Sequence, residues 1–253
     1  MKMSNSPQIS FADCSEIESW AAETVVGWGK TLVVAPHPDD ESLGCGGAVA
    51  LLRKFGNDVA VLTISDGALS HPNSVKFPPL KLRALRESET NAALEILGVP
   101  ADKITFLRFP DGSVPGELSD DFAAAVTIVR NHLAKISPQT ILLPWRRDPH
   151  PDHLASWQIV KAATIERSGD YRVLEYPIWL WERAENADLP REKNIKIRRL
   201  EINEAAVQKQ AAIRAHASQT TGLVDDDPNG FQLSAEVLAH FDGAFEIYFE
   251  EIK

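Results

Sequence analysis

Short apolar segments alternate with longer amphipathic segments through the first two thirds of the sequence, and this alternation constrains the fold more than any other feature. Each apolar segment is rich in β-branched residues and predicts a strand, whereas each amphipathic segment has helical periodicity. The predicted strands are residues 31–35, 58–65, 103–109 and 140–144, and the predicted helices are residues 40–55, 81–97, 119–136 and 152–167. Repeated strand-helix units predict an α/β fold with a mostly parallel sheet flanked by helices, and functional loops at the carboxyl ends of the strands.

The last third of the chain is less regular. Residues 171–181, 195–202 and 245–252 predict strands, residues 204–217 predict a helix, and residues 221–230 predict an exposed loop because they are rich in turn formers. We expect residues 1–253 to form a single domain, since no low-complexity linker divides the chain. Its motif-bearing core would span about 31–170, and an irregular C-terminal extension of the sheet and loops about 171–253.

Composition limits the location and the partners of the protein. With 36 acidic and 26 basic side chains the formal charge is −10, which argues against nucleic acid and anionic membranes as partners. The first residues lack the apolar stretch of a secretory signal, and no segment approaches the roughly 18 apolar residues of a membrane span. We therefore expect a cytoplasmic protein without integral membrane association. Two cysteines, Cys14 and Cys45, cannot make a disulfide framework. The composition is also compatible with a homo-oligomer.

Two histidine-containing segments follow predicted strands. Residues 37–41 read His-Pro-Asp-Asp-Glu and come after the first strand, and residues 150–153 read His-Pro-Asp-His and come after the fourth. Because the carboxyl ends of parallel strands share one edge of the sheet, segments that are far apart in the sequence can meet in one cleft. Imidazole and carboxylate groups are good zinc ligands, and two histidines with one carboxylate would leave a coordination position for water or substrate.

Each of these segments also has a structural interpretation. A His-Pro-Asp tripeptide can be a simple turn, as we predict for the His-Pro-Asn at residues 71–73. Acidic residues at the start of a helix are favoured as caps and by the helix dipole. However, both segments follow a buried strand and both carry a further ligand type three positions after the first histidine, which turn chemistry alone does not explain.

The two segments resemble the His-Pro-Asp-Asp-Glu and His-Pro-Asp-His motifs of the PIG-L, or LmbE-like, family of N-acetylglucosaminylphosphatidylinositol deacetylases. The resemblance runs in order from about residue 31 to residue 153, with Arg86, Glu89 and the Pro-Asp-Gly at 110–112, and a weaker similarity follows at 216–219. It implies a Rossmann-like α/β fold and the hydrolysis of N-acyl groups on amino sugars with one divalent metal.

Carried over to the matching positions, the resemblance implies roles for individual side chains. His37, Asp40 and His153 would bind the metal, and two nitrogens with one oxygen favour Zn²⁺ over Fe²⁺ or another divalent ion. Asp39 would be the general base. His150 would be the second polar catalyst and, if protonated, would stabilise the oxyanion.

Four further residues have two interpretations each. Arg86 and Asp111 match positions that line the sugar pocket in the family, whereas a salt bridge on a solvated helix is the structural alternative. Asp152 suits the orientation of a neighbouring imidazole, and a turn-forming role is equally compatible. Cys45 has the chemistry of a fourth ligand, but a small buried side chain is the favoured interpretation.

Together these features predict a metal-dependent amide hydrolase that removes the N-acetyl group from an N-acetylated amino sugar or its glycoconjugate, with metal-bound water as the nucleophile. The partner would be a free or nucleotide-linked acetylated amino sugar rather than a lipid-linked one, and one of the tryptophans at 145, 157, 179 and 181 can stack on its ring. Two alternatives stay open: a hydrolase of another small N-acyl amide, such as a thiol conjugate or an antibiotic intermediate, and a non-catalytic sugar-binding protein. Asp39 and His150 beside all three expected ligands favour catalysis.

Overall fold

One sheet of eight strands, flanked by helices, forms the described part of the chain in this computed structural model, namely residues 17–165, 171–183, 185, 188–190 and 193–252. The strands are β1 (Glu18–Trp20), β2 (Thr31–Ala35), β3 (Val59–Ser65), β4 (Ile104–Phe109), β5 (Thr140–Pro144), β6 (Arg172–Tyr176), β7 (Ile195–Glu201) and β8 (Phe245–Glu251). The helices are α1 (Asp40–Lys54), α2 (Pro79–Ile96), α3 (Phe122–Ile136), α4 (Pro151–Thr164), α5 (Leu180–Arg183), α6 (Ala206–Ala215), α7 (Ala217–Thr220) and α8 (Ala235–Ala239). Short 3₁₀ helices cover Ala22–Trp28, Ala101–Lys103 and Asn203–Ala205.

The strand order across the sheet is β1-β7-β8-β6-β5-β2-β3-β4. All these strands are parallel except β8, which is antiparallel to its neighbours β6 and β7. The mostly parallel, Rossmann-like α/β fold predicted from the sequence is therefore confirmed. The direction of chain progression reverses at β2, because β3 and β4 lie on one side of it and β5 and β6 on the other. Such a reversal leaves a crevice at the carboxyl ends of β2 and β5.

Apolar helix surfaces cover both faces of the sheet. Along β2, Val33 belongs to the core formed with α1 and α6, whereas Leu32 and Val34 belong to the core formed with α3 and α4. Alternate side chains of a strand point to opposite faces, so burial on both sides explains why β2 is apolar at nearly every position.

Helix α1 approaches the sheet closely because of its glycines. A Cβ atom on Gly44 would lie 2.3 Å from the ring of Tyr176, and one on Gly47 would lie 2.7 Å from the side chain of Ile202. The Tyr176 hydroxyl donates a hydrogen bond of 2.6 Å to the carbonyl oxygen of Val34, which holds the ring in this position. Cys45, next to Gly44, is fully buried in the same core, as expected for a small apolar side chain.

The predicted strand over residues 171–181 is wrong in its second half. Strand β6 ends at Tyr176, and a helical turn, α5, follows at Leu180–Arg183. Pro177 lacks an N–H group to extend the ladder, and the apolar side chains after it are buried by packing at the end of the sheet instead. An apolar run therefore looks like a longer strand in the sequence than the sheet accommodates.

The predicted exposed loop over residues 221–230 is tied to the loop after β3. Asp227 is buried, and its carboxylate accepts hydrogen bonds from the backbone N–H groups of Asn73 (2.8 Å) and Asn229 (3.1 Å). Asp226 likewise accepts a hydrogen bond of 2.7 Å from the backbone N–H of Lys76. The prediction of exposure is wrong for Asp227, because its carboxylate satisfies backbone donors of a neighbouring loop.

Element boundaries agree with the predictions to within a few residues. Apart from the early end of β6, the differences are about three residues or fewer, as at α3, which begins at Phe122 instead of residue 119. Cys14 and the predicted end of the fourth helix at residue 167 lie outside the described residues, and the expectation of a single domain stays a prediction. Among the described helices, none combines the length and the apolar character needed to cross a membrane.

Candidate active site

The crevice at the carboxyl ends of β2 and β5 collects the motif residues. Residues 37–41 connect β2 to α1, and residues 150–153 follow β5 and begin α4. Because β2 and β5 are adjacent parallel strands, both segments leave the sheet at the same edge. The structure thus brings together the two segments that the sequence predicts to meet.

Three side-chain atoms form a small triangle in this crevice. Nδ1 of His37 lies 3.3 Å from Oδ2 of Asp40 and 3.3 Å from Nε2 of His153, and Oδ2 of Asp40 lies 3.2 Å from Nε2 of His153. A tetrahedral Zn²⁺ whose ligands lie at about 2.0–2.1 Å separates the ligand atoms by about 3.3 Å. The residue types and their spacing therefore fit one divalent metal. The assignment of these three residues as ligands stays a prediction.

Carboxylates lie behind both imidazoles of the triangle. Nε2 of His37 lies 3.2 Å from Oδ2 of Asp152 and 3.4 Å from Oδ1 of Asp111, and Nδ1 of His153 lies 3.3 Å from Oδ1 of Asp148. In metal sites such partners fix the tautomer and the orientation of a ligating imidazole. Asp152 has the position expected of an orienting partner, and its carboxylate also accepts a hydrogen bond of 2.7 Å from the N–H of Gly112.

Opposite charges in the triangle shift the pKa values of its members. Although burial opposes the shift, the imidazoles of His153 and His37 hold the pKa of Asp40 well below its usual range. Burial likewise opposes the shift of His153, but Asp40 and Asp148 raise the pKa of His153 to about 9. Metal ligands must be deprotonated, so metal binding here would displace protons from the imidazoles.

Asp148 is a site residue that sequence reasoning missed. It is buried, and besides facing His153 its carboxylate accepts hydrogen bonds from the backbone N–H groups of His150 (3.2 Å), Ile178 (3.0 Å) and Trp179 (2.9 Å). An aspartate before a proline is typical of a turn, and this hides the role of Asp148 in the sequence. The available signal is its position between a buried strand and a histidine-containing segment.

Asp39 lies beside the triangle in an unusual backbone conformation. Its φ angle is 135°, a region that non-glycine residues rarely adopt, and such strain concentrates at functional sites. Its backbone N–H donates a hydrogen bond of 3.0 Å to Oε2 of Glu41, and its Oδ2 lies 3.2 Å from the Arg86 guanidinium. Burial raises the pKa of Asp39 to about 7, although Arg86 acts against this shift.

Arg86 is buried rather than solvated. Its guanidinium donates hydrogen bonds to the carbonyl oxygens of Gly67 (2.9 Å) and Pro38 (2.6 Å) as well as to Asp39. The alternative of a salt bridge on a solvated helix is therefore wrong, because Arg86 joins two loops behind the candidate base. Arg86 also lines the cavity beside Asp39, and its contact with a sugar stays a prediction.

His150 occupies the N-cap position of α4. Its Nδ1 accepts a hydrogen bond of 3.2 Å from the backbone N–H of Asp152, so in the neutral ring Nε2 carries the proton. Burial, followed by the charges of His153 and His37, lowers the pKa of His150 to about 4. These surroundings favour a neutral imidazole that donates through Nε2–H, and they disfavour the protonated form considered from the sequence.

A cavity of about 270 Å³ opens in front of these groups. Its lining includes motif residues, among them His37, Asp39, Asp40, Asp111 and His150. It also includes residues of the C-terminal third, namely Ile178, Trp179, Gln219, Phe231 and Leu233. Of the four tryptophans considered for sugar stacking, Trp179 lines this cavity. The contribution of the C-terminal third was not predicted, because it depends on contacts between segments that are distant in the sequence.

The segment at residues 216–219, where the weaker sequence similarity lies, packs behind the site and holds its residues in place. Nε2 of His216 lies 3.0 Å from Oε1 of Glu41, the residue that binds the backbone of Asp39. The backbone N–H of Ser218 donates a hydrogen bond of 2.7 Å to Oε1 of Glu89. His216, Glu41 and Glu89 are buried, so the segment connects α1 and α2 beneath the cavity.

Known proteins share both the sequence pattern and the fold. The diacetylchitobiose deacetylase of Thermococcus kodakarensis is 37% identical over 133 residues, which is 49% of this chain and 45% of that protein. A 1D-myo-inositol 2-acetamido-2-deoxy-alpha-D-glucopyranoside deacetylase of Kineococcus radiotolerans is 29% identical over 168 residues, with 56% and 46% covered. This chain thus spans about half the length of these two relatives.

Among solved structures, the N,N'-diacetylchitobiose deacetylase of Pyrococcus horikoshii has a TM-score of 0.62 and 21% identity, with 86% of this chain and 83% of that chain covered. At this identity the likeness shows the fold. The model of the GlcNAc-PI de-N-acetylase family, PIG-L, matches residues 32–164, which is more than half of the chain and contains both histidine motifs. On this match, carried by the motifs that line the crevice, the chain belongs to the PIG-L family.

Proposed function

We propose that this protein is a metal-dependent amide hydrolase that removes the N-acetyl group from an N-acetylated amino sugar. The observation that carries the proposal is the triangle of His37, Asp40 and His153 with the carboxylate of Asp39 and the imidazole of His150 beside it. The names of the relatives support the reaction, because the two described above are deacetylases of N-acetylated sugars.

His37, Asp40 and His153 would hold one divalent metal, and their two nitrogens and one oxygen favour Zn²⁺. When bound, the metal supplies Lewis acidity and lowers the pKa of water. The side chains of the protein then provide the proton transfers. Their arrangement in the crevice allows a different role for each of Asp39 and His150.

Asp39 would accept a proton from the attacking water. Arg86 binds Oδ2 of Asp39, so we assign the proton to Oδ1. A general base works best when its pKa lies near the working pH, and burial brings the pKa of Asp39 to about 7. The hydrogen bond from the Asp39 backbone to Glu41 keeps the carboxylate in a defined position.

His150 would donate a hydrogen bond from Nε2–H to the amide oxygen of the substrate. As water adds to the acetyl carbon, this oxygen becomes negatively charged, and a donor already in place stabilises the charge. The C–N bond then breaks, acetate leaves, and the amine takes the proton that Asp39 accepted from the water, because the neutral His150 has no acidic proton to give. The neutral tautomer of His150 described above suits the donor role.

Replacement of Asp39 tests the assignment of the base. Asp39→Asn keeps the shape of the side chain but removes the proton acceptor, so we expect normal metal content and a turnover reduced by roughly 10²–10⁴-fold. The assay measures acetate and free amine released from a panel of acetylated amino sugars, with metal content measured on the same samples. Loss of metal from Asp39→Asn would mean that Asp39 is a ligand.

Replacement of the histidines tests the ligand assignment. His37→Ala and His153→Ala remove one corner of the triangle each, so we expect both variants to lose the metal. His150→Ala serves as the control, because it removes an imidazole from the same crevice but leaves the triangle intact, and it should keep the metal. Metal retained by both His37→Ala and His153→Ala would contradict the proposed site.

The two alternative functions predict different results in the same panel. A hydrolase of another small N-acyl amide would release amine from a thiol conjugate or an antibiotic intermediate but not from simple acetylated sugars. A non-catalytic member would bind sugars with its metal loaded and release no acetate from any of them.

A further inference from the structure

The polar side of the cavity consists mainly of hydrogen-bond acceptors. Gln219 is fully buried, and its amide nitrogen donates to the hydroxyl groups of Ser218 (2.9 Å) and Ser70 (3.4 Å). Its Oε1 has no hydrogen-bond partner within the described part of the chain. A buried amide oxygen without a donor is unfavourable, and Gln219 lines the cavity, so a ligand hydroxyl or N–H group that reached Oε1 would satisfy it. The carboxylates of Asp39 and Asp111 line the same cavity.

Arg86, the cationic side chain that lines the cavity, already binds acceptors of the protein itself. Among the cavity-lining residues, all of which the structure describes, Arg86 is the one lysine or arginine. Its guanidinium binds the carbonyl oxygens of Gly67 and Pro38 and the carboxylate of Asp39. An anionic group on a ligand would therefore have to compete with three protein acceptors for this cation.

Negative charge exceeds positive charge around the cavity even with a metal bound. Five carboxylates surround the triangle or belong to it: Asp39, Asp40, Asp111, Asp148 and Asp152. When Asp39 is ionised, as a general base must be, a divalent cation and Arg86 together neutralise three of these five charges, and the ligating imidazoles are neutral in the metal-bound form. The remaining charge repels a phosphate or a carboxylate on the ligand.

Another part of the cavity lining is apolar and aromatic. The rings of Trp179 and Phe231 pack edge to face with centroids 5.8 Å apart, and Ile178 and Leu233 continue the same wall. A pyranose ring has apolar C–H faces and hydroxyl groups at its edge. It can therefore place one face on this wall and direct its hydroxyl groups to the acceptors that also line the cavity.

We propose that the cavity selects an uncharged N-acetylated sugar and rejects sugars that carry a phosphate or carboxylate on the acetamido-bearing ring or at its glycosidic carbon. This inference rests on the proposed function and narrows its substrate class. Of the two partner classes expected from the sequence, it favours the free sugar over the nucleotide-linked one, whose pyrophosphate adjoins the ring.

Matched substrates test the inference in the zinc-loaded protein. We expect kcat/KM for acetate release to be at least tenfold higher for N-acetylglucosamine and N,N'-diacetylchitobiose than for N-acetylglucosamine 6-phosphate and UDP-N-acetylglucosamine. Equal or better turnover of either anionic sugar overturns the proposal. If no sugar is deacetylated, the proposed function fails, and binding still tests the inference.

Calorimetry with the deacetylated sugars gives this binding readout. We expect glucosamine to bind the zinc-loaded protein at least tenfold more tightly than glucosamine 6-phosphate. Equal or tighter binding of the phosphate, or no binding of either compound at millimolar concentration, overturns the proposal.

Two variants of Leu69, one charged and one neutral, test whether charge causes the discrimination between substrates. The side chain of Leu69 lines the cavity and is 54% exposed, so polar replacements there are compatible with folding. Leu69→Lys adds a cation, and we expect it to reduce the discrimination against the 6-phosphate about threefold or more. Leu69→Gln is polar but neutral and should leave the discrimination unchanged. Equal discrimination in both variants contradicts an electrostatic origin.

Discussion

Replacing Asp148 with asparagine disturbs several hydrogen bonds at once. Oδ2 of Asp148 accepts the N–H groups of Ile178 and Trp179, and Oδ1 faces Nδ1 of His153 and accepts the N–H of His150. One orientation turns the new amide group toward the N–H groups of Ile178 and Trp179, and the other turns it toward the N–H of His150 and Nδ1 of His153. Each buried donor left without an acceptor costs about 1–3 kcal/mol, so with one or two such donors we expect the free energy of unfolding to fall by about 1–6 kcal/mol.

The same replacement weakens the predicted metal site through His153. One orientation of the asparagine places a donor against Nδ1 of His153, which drives the imidazole proton onto Nε2, the atom that faces Asp40. The other orientation replaces a carboxylate with a weaker, neutral acceptor. Loss of such a partner reduces metal affinity by about 10–100-fold.

A chelator competition assay with the zinc-loaded protein measures this affinity, and urea unfolding of the metal-free protein measures the stability. Asp227→Asn is the matched control, because Asp227 is also buried and also accepts backbone N–H groups, from Asn73 and Asn229. The control should lose stability and keep its zinc affinity. If Asp148→Asn binds zinc as tightly as the parent protein, the argument that Asp148 orients His153 is wrong.

Two further predictions concern the framework of the site. Gly44→Ala places a methyl group 2.3 Å from the Tyr176 ring and should lower the free energy of unfolding by about 1–3 kcal/mol. The control Gly27→Ala has no atom within 4 Å of the new methyl group and should change this free energy by less than about 1 kcal/mol. Similar urea midpoints for the two variants would refute the packing argument. Although burial opposes the shift, Glu41 raises the pKa of His216, so this pair stabilises the fold fully below the unfolded pKa of 6.5 and loses its effect as the pH rises through the folded value. The stability difference between the parent and His216→Gln should therefore be larger at pH 6 than at pH 9, and a constant difference would exclude the charged pair.

The strands around the crevice could be predicted because each is a run of consecutive apolar residues, which indicates burial on both faces. Strands β2 and β5 have the bounds expected from the sequence, Thr31–Ala35 and Thr140–Pro144. Both are short apolar runs that end at a proline or at the residue before one. The position of the two histidine segments followed from these strands and from the geometry of parallel sheets.

The surroundings of the motif residues could not be predicted in the same way. Arg86 has the sequence context of an exposed helix residue, and its burial depends on carbonyl oxygens supplied by Pro38 and Gly67. Trp179 and Phe231 form a wall together, although each lies in an irregular segment of the C-terminal third. Such contacts join distant parts of the chain and leave no periodic pattern in either part.

Two separate stretches of the chain thus contribute to the lining of one cavity. The motif residues lie within the part that matches the family model, residues 32–164, whereas the aromatic wall comes from residues 178–233, beyond that match. Substitutions in the wall can change which molecule is accepted while the reacting groups stay as they are. During evolution, such proteins can acquire new substrates while their motif residues stay the same. Sequence similarity over residues 32–164 is therefore a poor guide to the substrate.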